Sequence, residues 1–175
     1  KEPIILNFLD GEQNYSSHPI IFFKINKNSQ VSIAEISNSL NGLNSPFIIY
    51  DIHERSIVNF LKFQNDGQDT VHLGHSNFIL DENTLVKGFI FSKGAKLARI
   101  EANSILKGKN ANFLLSAIYY GKEKQHHDIT TFVHHDYENC ISNQVIRGVL
   151  DDHSKGVFQG KVKVSDHAQK TDGQQ

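Results

Sequence analysis

The sequence predicts an all-β protein, and three observations carry that expectation. Short runs of β-branched and aromatic residues recur from one end of the chain to the other. No segment sustains an apolar repeat of 3.6 residues over the three turns of an average helix. Turn-forming residues separate the runs, and Gly94, Gly108 and Gly121 follow one another at nearly equal intervals.

The first run, VSIAEI at 31–36, opens the stretch 32–41, which is the nearest thing to a helix candidate. Its β-branched start and its Ser and Asn content make it a strand instead. PFIIYDI (46–52), SIVNFLKF (56–63) and TLVKGFIF (84–91) follow, then NFLLSAIYY (112–120), whose two faces are both apolar. DITTFV (128–133) has a β-branched and aromatic centre, and 127–135 as a whole reads as strand. In GVFQGKVKV (156–164), Phe158, Val162 and Val164 share a face with Gly160, while Gln159, Lys161 and Lys163 point to water. Between the runs stand Asn41-Gly42, Asn65-Asp66-Gly67, Lys93-Gly94, Lys107-Gly108, Gly121 and Asp151-Asp152, all read as turns. The Asn-Gly and Asp-Gly pairs favour an antiparallel sandwich, whereas the regular beat and the long gaps favour stacked coils, so the residues leave both architectures open.

A chain of 175 residues is expected to form one domain over 1–175 and to bury about 70% of its unfolded surface without disulfide or metal. Cys140 is the only cysteine, which excludes a disulfide framework and suits a reducing, cytoplasmic compartment. With 18 basic and 19 acidic residues the formal net charge is −1, so neither nucleic acid nor an anionic membrane is an expected partner. The longest apolar run, FLLSAIYY, is far short of the ~20 residues of a membrane-spanning helix. The start at Lys1 and the polar stretch TDGQQ at the other end lead to the expectation that the chain is part of something longer.

HHDITTFVHHD at 126–136 puts four histidines and two aspartates into eleven positions. On a strand, His127 and His135 share a face but lie about 26 Å apart at ~3.3 Å per residue, far beyond a shared ion with bonds of about 2 Å. His126 and His127 point to opposite faces, as do His134 and His135. The pairings left are His126 with Asp128, or His135 with a residue of a neighbouring strand; no metal site is assigned, and the histidines are expected at strand ends and on the surface. Cys140 has two readings: a persulfide carrier or cluster ligand activated by His135, or a small buried residue, and the second is preferred. A lone cysteine cannot hold an iron–sulfur cluster within the chain. Nucleophile motifs and phosphate loops are absent, Asp151-Asp152 reads as a solvated corner, and no catalytic residue is assigned.

QHHDITTFVHH (125–135), CISNQVIRGVLDD (140–152), KGVFQGKVKV (155–164) and AQKTDGQQ (168–175) together carry a resemblance. They are similar, in order and over the last part of the chain, to the signature of the SufB/SufD family of iron–sulfur cluster assembly proteins, on its SufD side. The matching positions are His126, Asp128, Thr131, Val133 and His135; then Ser142, Gln144 and Gly148 in what the family pattern makes a turn; then Gly156 to Val164; then Ala168, Gln169, Thr171 and Asp172. The resemblance implies a right-handed parallel β-helix, with Phe158, Val162 and Val164 inside it. It also implies a core without the family's N-terminal and C-terminal helical regions, and a non-catalytic scaffold subunit that pairs with SufB and the ATPase SufC. An iron–sulfur cluster would be a transient cargo of the full complex, with none resident in this chain. Cys140, His126, Asp128 and His135 are the candidate assembly-related residues. The open end of a cut β-helix invites a second copy, so a homodimer is expected of this chain. Two alternatives stand beside it: a SufB-type paralogue carrying the nascent cluster, and a polysaccharide-active β-helix enzyme, which would need a groove of paired acids.

Overall fold

The computed structural model describes residues 2–9 and 15–175, and every element among them is a strand. The strands are β1 (Ile4–Phe8), β2 (Ser16–Ser17), β3 (Ile20–Ile25), β4 (Gln30–Ser37), β5 (Asn41–Asn44), β6 (Phe47–Ile52), β7 (Ile57–Asp66) and β8 (Asp69–Leu80). They continue as β9 (Leu85–Gly94), β10 (Leu97–Leu106), β11 (Asn112–Gly121), β12 (His126–His135), β13 (Ile141–Leu150), β14 (Lys155–Val164) and β15 (Asp172–Gln174). One sheet, here sheet A, runs β1-β4-β7-β9-β11-β13-β15, and sheet B runs β14-β12-β10-β8 and on to β5 and β6, which pair with β2 and β3. Every pairing is parallel, so the chain winds as a β-solenoid, one strand on sheet A and one stretch on sheet B per coil. Antiparallel hairpins, the alternative left open by the residues, do not occur among the described strands.

The register fixes the coil length. Val58, Val86, Phe113 and Ser142 are successive rungs of one ladder, and their numbers advance by almost the same step each time. The interval between Gly94, Gly108 and Gly121 is therefore half a coil. The corners repeat with the period of the ladder: Asn28, Arg55, Asn83, Asn110 and Asn139 all have φ between 55° and 60°. Asparagine tolerates this left-handed region better than other side chains, which explains four of the five. The corner side chains also stack, Asn110 Nδ2 donating to Asn83 Oδ1 at 2.9 Å and Arg55 Nε to Asn28 Oδ1 at 2.8 Å.

Inward side chains form the core. Val58, Phe60, Val86, Ile90, Phe113 and Leu115 from sheet A meet Ile48, Phe78, Ile100, Leu106, Ile129 and Val133 from sheet B. Phe23, Tyr50 and Phe78, on successive coils, stack with ring centroids 5.3 and 4.8 Å apart. Each such side chain contributes about 1.5–3 kcal/mol on burial.

Three expectations need correction. Ser142, Gln144 and Gly148, a turn in the family pattern, lie within strand β13, where Ser142 and Gln144 point inward in register with Phe113 and Leu115. Asn41-Gly42 opens β5, while Asn65-Asp66, Lys93-Gly94 and Gly121 close β7, β9 and β11, so these residues lie on the sheets up to the corner itself. Phe158, Val162 and Val164 do face inward, in register with Ile129, Val133 and His135, but Phe158 and Val164 remain 39% and 50% exposed. Among the described strands none pairs with the second edge of β14.

Near this edge Tyr119 leans out of its own coil into the next. A Cβ on Gly148 or Gly156 would overlap its ring, so both positions need glycine for space. Gly148→Ala should therefore lower the unfolding free energy by about 1–3 kcal/mol, the usual range for overpacking. In a urea double-mutant cycle with Tyr119→Ser the two losses should be clearly less than additive; full additivity would show that the ring does not occupy that space.

Candidate functional site in the solenoid interior

The ladders that carry the core also carry polar groups, and these gather inside in three places. Period-two alternation places Glu35 inward with Ile33, and Lys62 inward with Val58 and Phe60. Lys62 and Glu35 are adjacent rungs and form a fully buried ion pair. The other Glu35 oxygen accepts from Tyr50 Oη at 2.6 Å and from Ser76 Oγ at 3.0 Å. Burial, reinforced by the Glu35 carboxylate, pushes the Tyr50 phenol so far up that it stays protonated.

One corner further on lies Asp66, also buried. Its Oδ1 accepts from Ser37 Oγ and from the Ser39 backbone N–H, both at 2.7 Å, and its Oδ2 from Gln64 Nε2 at 2.9 Å. His72 Nδ1 stands 3.1 Å from the same Oδ2, off the line of a good hydrogen bond. Burial pushes the Asp66 carboxyl up, but His72, Ser37 and Gln64 outweigh it and hold the group below its ordinary range. Burial keeps His72 neutral, with the Lys62 charge acting in the same direction against the pull of Asp66. Gly74 makes this arrangement possible, since a Cβ there would lie 2.7 Å from His72 Nε2 and 3.0 Å from Lys62 Nζ.

The lane continues through Gln64. Ser92 Oγ donates to Gln64 Oε1 at 2.7 Å and lies 2.9 Å from His127 Nδ1. The single Ser92 proton is already given away, so His127 Nδ1 must be the donor and Nε2 bears the lone pair. That Nε2 is buried without a hydrogen-bond partner. Burial, with a smaller push from His126, lowers the His127 pKa to about 4.

The histidine strand is thus split by the pleat. The four histidines do stand at the two ends of β12, as expected, but His127 and His135 are fully buried and not on the surface; their places in the inward ladders override their polarity. His135 Nε2 meets Ser142 Oγ at 2.8 Å, so the neighbouring-strand partner of His135 is a hydroxyl. His126 and Asp128 point outward on sheet B, where Asp128 faces Arg99 Nη1 at 3.5 Å and accepts from Thr130 Oγ1 at 3.2 Å. Cys140 is buried, its Sγ 3.3 Å from the Gly108 carbonyl oxygen. Burial pushes its thiol up, away from the reactive thiolate. Among the described residues no three of His, Cys, Asp and Glu stand close enough together to hold a metal ion. The interior therefore stores fixed charge and hydrogen bonds in a closed space, and the structure brings none of the four candidate residues together into one centre.

A family model described as "SUF system FeS cluster assembly, SufBD core domain" matches residues 8–175. Iron-sulfur cluster assembly protein SufD of Escherichia coli (strain K12) is 27% identical over 103 residues, covering 59% of this chain and 24% of that protein. An iron-sulfur cluster assembly SufBD family protein of Synechocystis is 25% identical over 190 residues, covering all of this chain and 42% of that protein. One from Mycobacterium leprae is 26% identical over 84 residues, 48% of this chain and 21% of that protein. The chain spans less than half the length of these relatives.

Two measurements follow from this interior. His127 has a folded pKa of about 4 against an ordinary 6.5, so below pH 6.5 the unfolded chain takes up a proton that the folded one refuses. Stability should fall as pH drops from 6.5 towards 4, and His127→Gln should remove about 3 kcal/mol of that dependence in denaturant titrations; an unchanged slope would contradict the buried neutral imidazole. The Cys140 thiol should resist an aromatic disulfide reagent in the native chain and react only at the rate of unfolding. Fast labelling without unfolding would show an accessible thiolate.

Proposed function

Because this chain belongs to the SufBD core-domain family of the SUF iron–sulfur cluster assembly system, we propose that it is the β-solenoid core of a non-catalytic scaffold subunit of the SufD type. The single observation that carries this reading is the family match over residues 8–175, on a parallel solenoid of the kind the sequence resemblance implies. The SufD assignment draws on the first relative's name and on the order of the motif blocks around His126, Ser142, Phe158 and Thr171. The partners in this reading are a SufB-type subunit and the ATPase SufC, in the cytoplasm, with the cluster as cargo handed on by the complex. No helix among the described residues is long and apolar enough to cross a membrane.

Within that role the four candidate residues divide by position. His135 and Cys140 act as packing and hydrogen-bonding elements that hold consecutive coils in register, supported by their burial and by the Ser142 and Gly108 contacts. His126 and Asp128, outward on sheet B, are left to meet another chain. The homodimer expected of the isolated chain would form through the edge of β14, where Phe158 and Val164 remain exposed.

The test is co-purification of the full-length protein with SufB and SufC, followed by anaerobic reconstitution with iron and sulfide and visible absorption spectroscopy. The scaffold reading expects a stable complex and a cluster yield that drops when the chain is omitted. A chain that joins neither subunit, or whose omission leaves the yield unchanged, would refute it.

A further inference from the structure

We infer that the outer face of sheet A is a docking surface for an acidic amphipathic helix of a partner polypeptide. This inference stands independently of the family reading, because it rests on the pattern of outward residues alone.

On β4, β7, β9, β11 and β13 the outward positions alternate with the core positions and are part-exposed or exposed. The register aligns them into apolar rows that cross the strands. One row is Ile36, Phe63, Phe91 and Ile118; the next is Ala34, Leu61, Phe89, Ser116 and Val145. Phe63 and Phe91 stack with centroids 5.4 Å apart, and Leu61, Phe89 and Val145 are each exposed. A parallel sheet that is apolar on both faces is found almost only where both faces are covered. Solvent alone is thus an unfavourable cover for this face.

Charge selects the occupant. Among the outward positions of these five strands the ionised residues are Lys87, Lys93 and Arg147, all cationic, in a chain whose net charge is −1. Sheet B is different: there carboxylates stand among the outward cations, Arg99 facing Glu101 and Asp128, although β14 adds the exposed lysines Lys155, Lys161 and Lys163. The cations of sheet A are left for a partner to neutralise. The two rows make an apolar strip that runs across the five strands for about 19 Å, four spacings of ~4.8 Å, which accepts one helix of about 13 residues. The helix needs an apolar stripe at i, i+3, i+4 and i+7, flanked by carboxylates. Shallow grooves on either side of the Leu61–Phe89 ridge, at Ala34 and Asn59 and at Leu114 and Ser116, give its side chains places to seat.

The test uses a synthetic helix of that length with a leucine stripe flanked by glutamates, labelled for fluorescence anisotropy and titrated with the chain. Controls are a scrambled peptide of the same composition and a version with lysine in place of glutamate. The acidic helix should bind at least tenfold more tightly than either control, and more weakly as salt rises. Leu61→Ser with Phe89→Ser should weaken it tenfold or more. Lys87→Glu with Arg147→Glu should reverse the preference towards the lysine peptide; both double variants are on the surface, and unchanged urea midpoints would verify that they fold. Equal binding of helix and scramble, or variants that leave affinity unaltered, would overturn the inference. So would self-association that the Phe89 variant abolishes, which assigns the face to a second copy, or binding of vesicles containing phosphatidylserine without binding of the helix.

Discussion

Everything in this molecule depends on parallel stacking at a coil length that hardly varies. Each backbone ladder joins one coil to the coil beside it, so a side chain at a given position sits directly on its counterpart one coil away. Stability then becomes a sum over neighbouring rungs. Any inward residue is acceptable if the rung above and the rung below suit it. Glu35 is tolerated because Lys62 is its neighbour, and His127 because Ser92 reaches it across the interior.

This explains why charge and imidazole are found where an ordinary core holds only hydrocarbon. A buried ion pair seldom adds net stability over apolar replacements, so its use here points to specificity of register. A slip by one residue would flip Lys62 outward and leave Glu35 without its counter-charge, while a slip by two would set Phe60 or Gln64 beside it. The aromatic stack of Phe23, Tyr50 and Phe78 and the asparagine corners penalise the same errors by shape and by backbone conformation.

Much of the fold was legible in the sequence. The β class, seven of the strands and the opposition of Phe158 to Lys161 follow from period two and from β-branched composition. β1 and β3, IILNF and IIFFKI, carry the same apolar signal outside those seven runs, whereas other strands are hidden because their inward positions are partly polar or small. β8 alternates Thr70, His72, Gly74 and Ser76 on its inner side, and β10 carries Arg99 and Glu101 outside. Only the pairing register, a non-local property, marks these as strands. The candidate site was less legible. Lys62 and Glu35 have the parity of core residues in SIVNFLKF and VSIAEI, a signal that was present but is overridden by the habit of placing charge outside. Adjacent histidines on opposite faces were readable; that the inward pair is buried depends on coils that lie far away in sequence.

The Tyr119 ring, lodged between Gly148 and Gly156, makes neighbouring coils more than a pile of flat layers. It acts as a peg that crosses the boundary between two layers, so these two coils cannot part by simply breaking the backbone ladder between them. The ring has to be withdrawn as well, so their separation becomes a coupled event of two coils instead of a gradual unzipping.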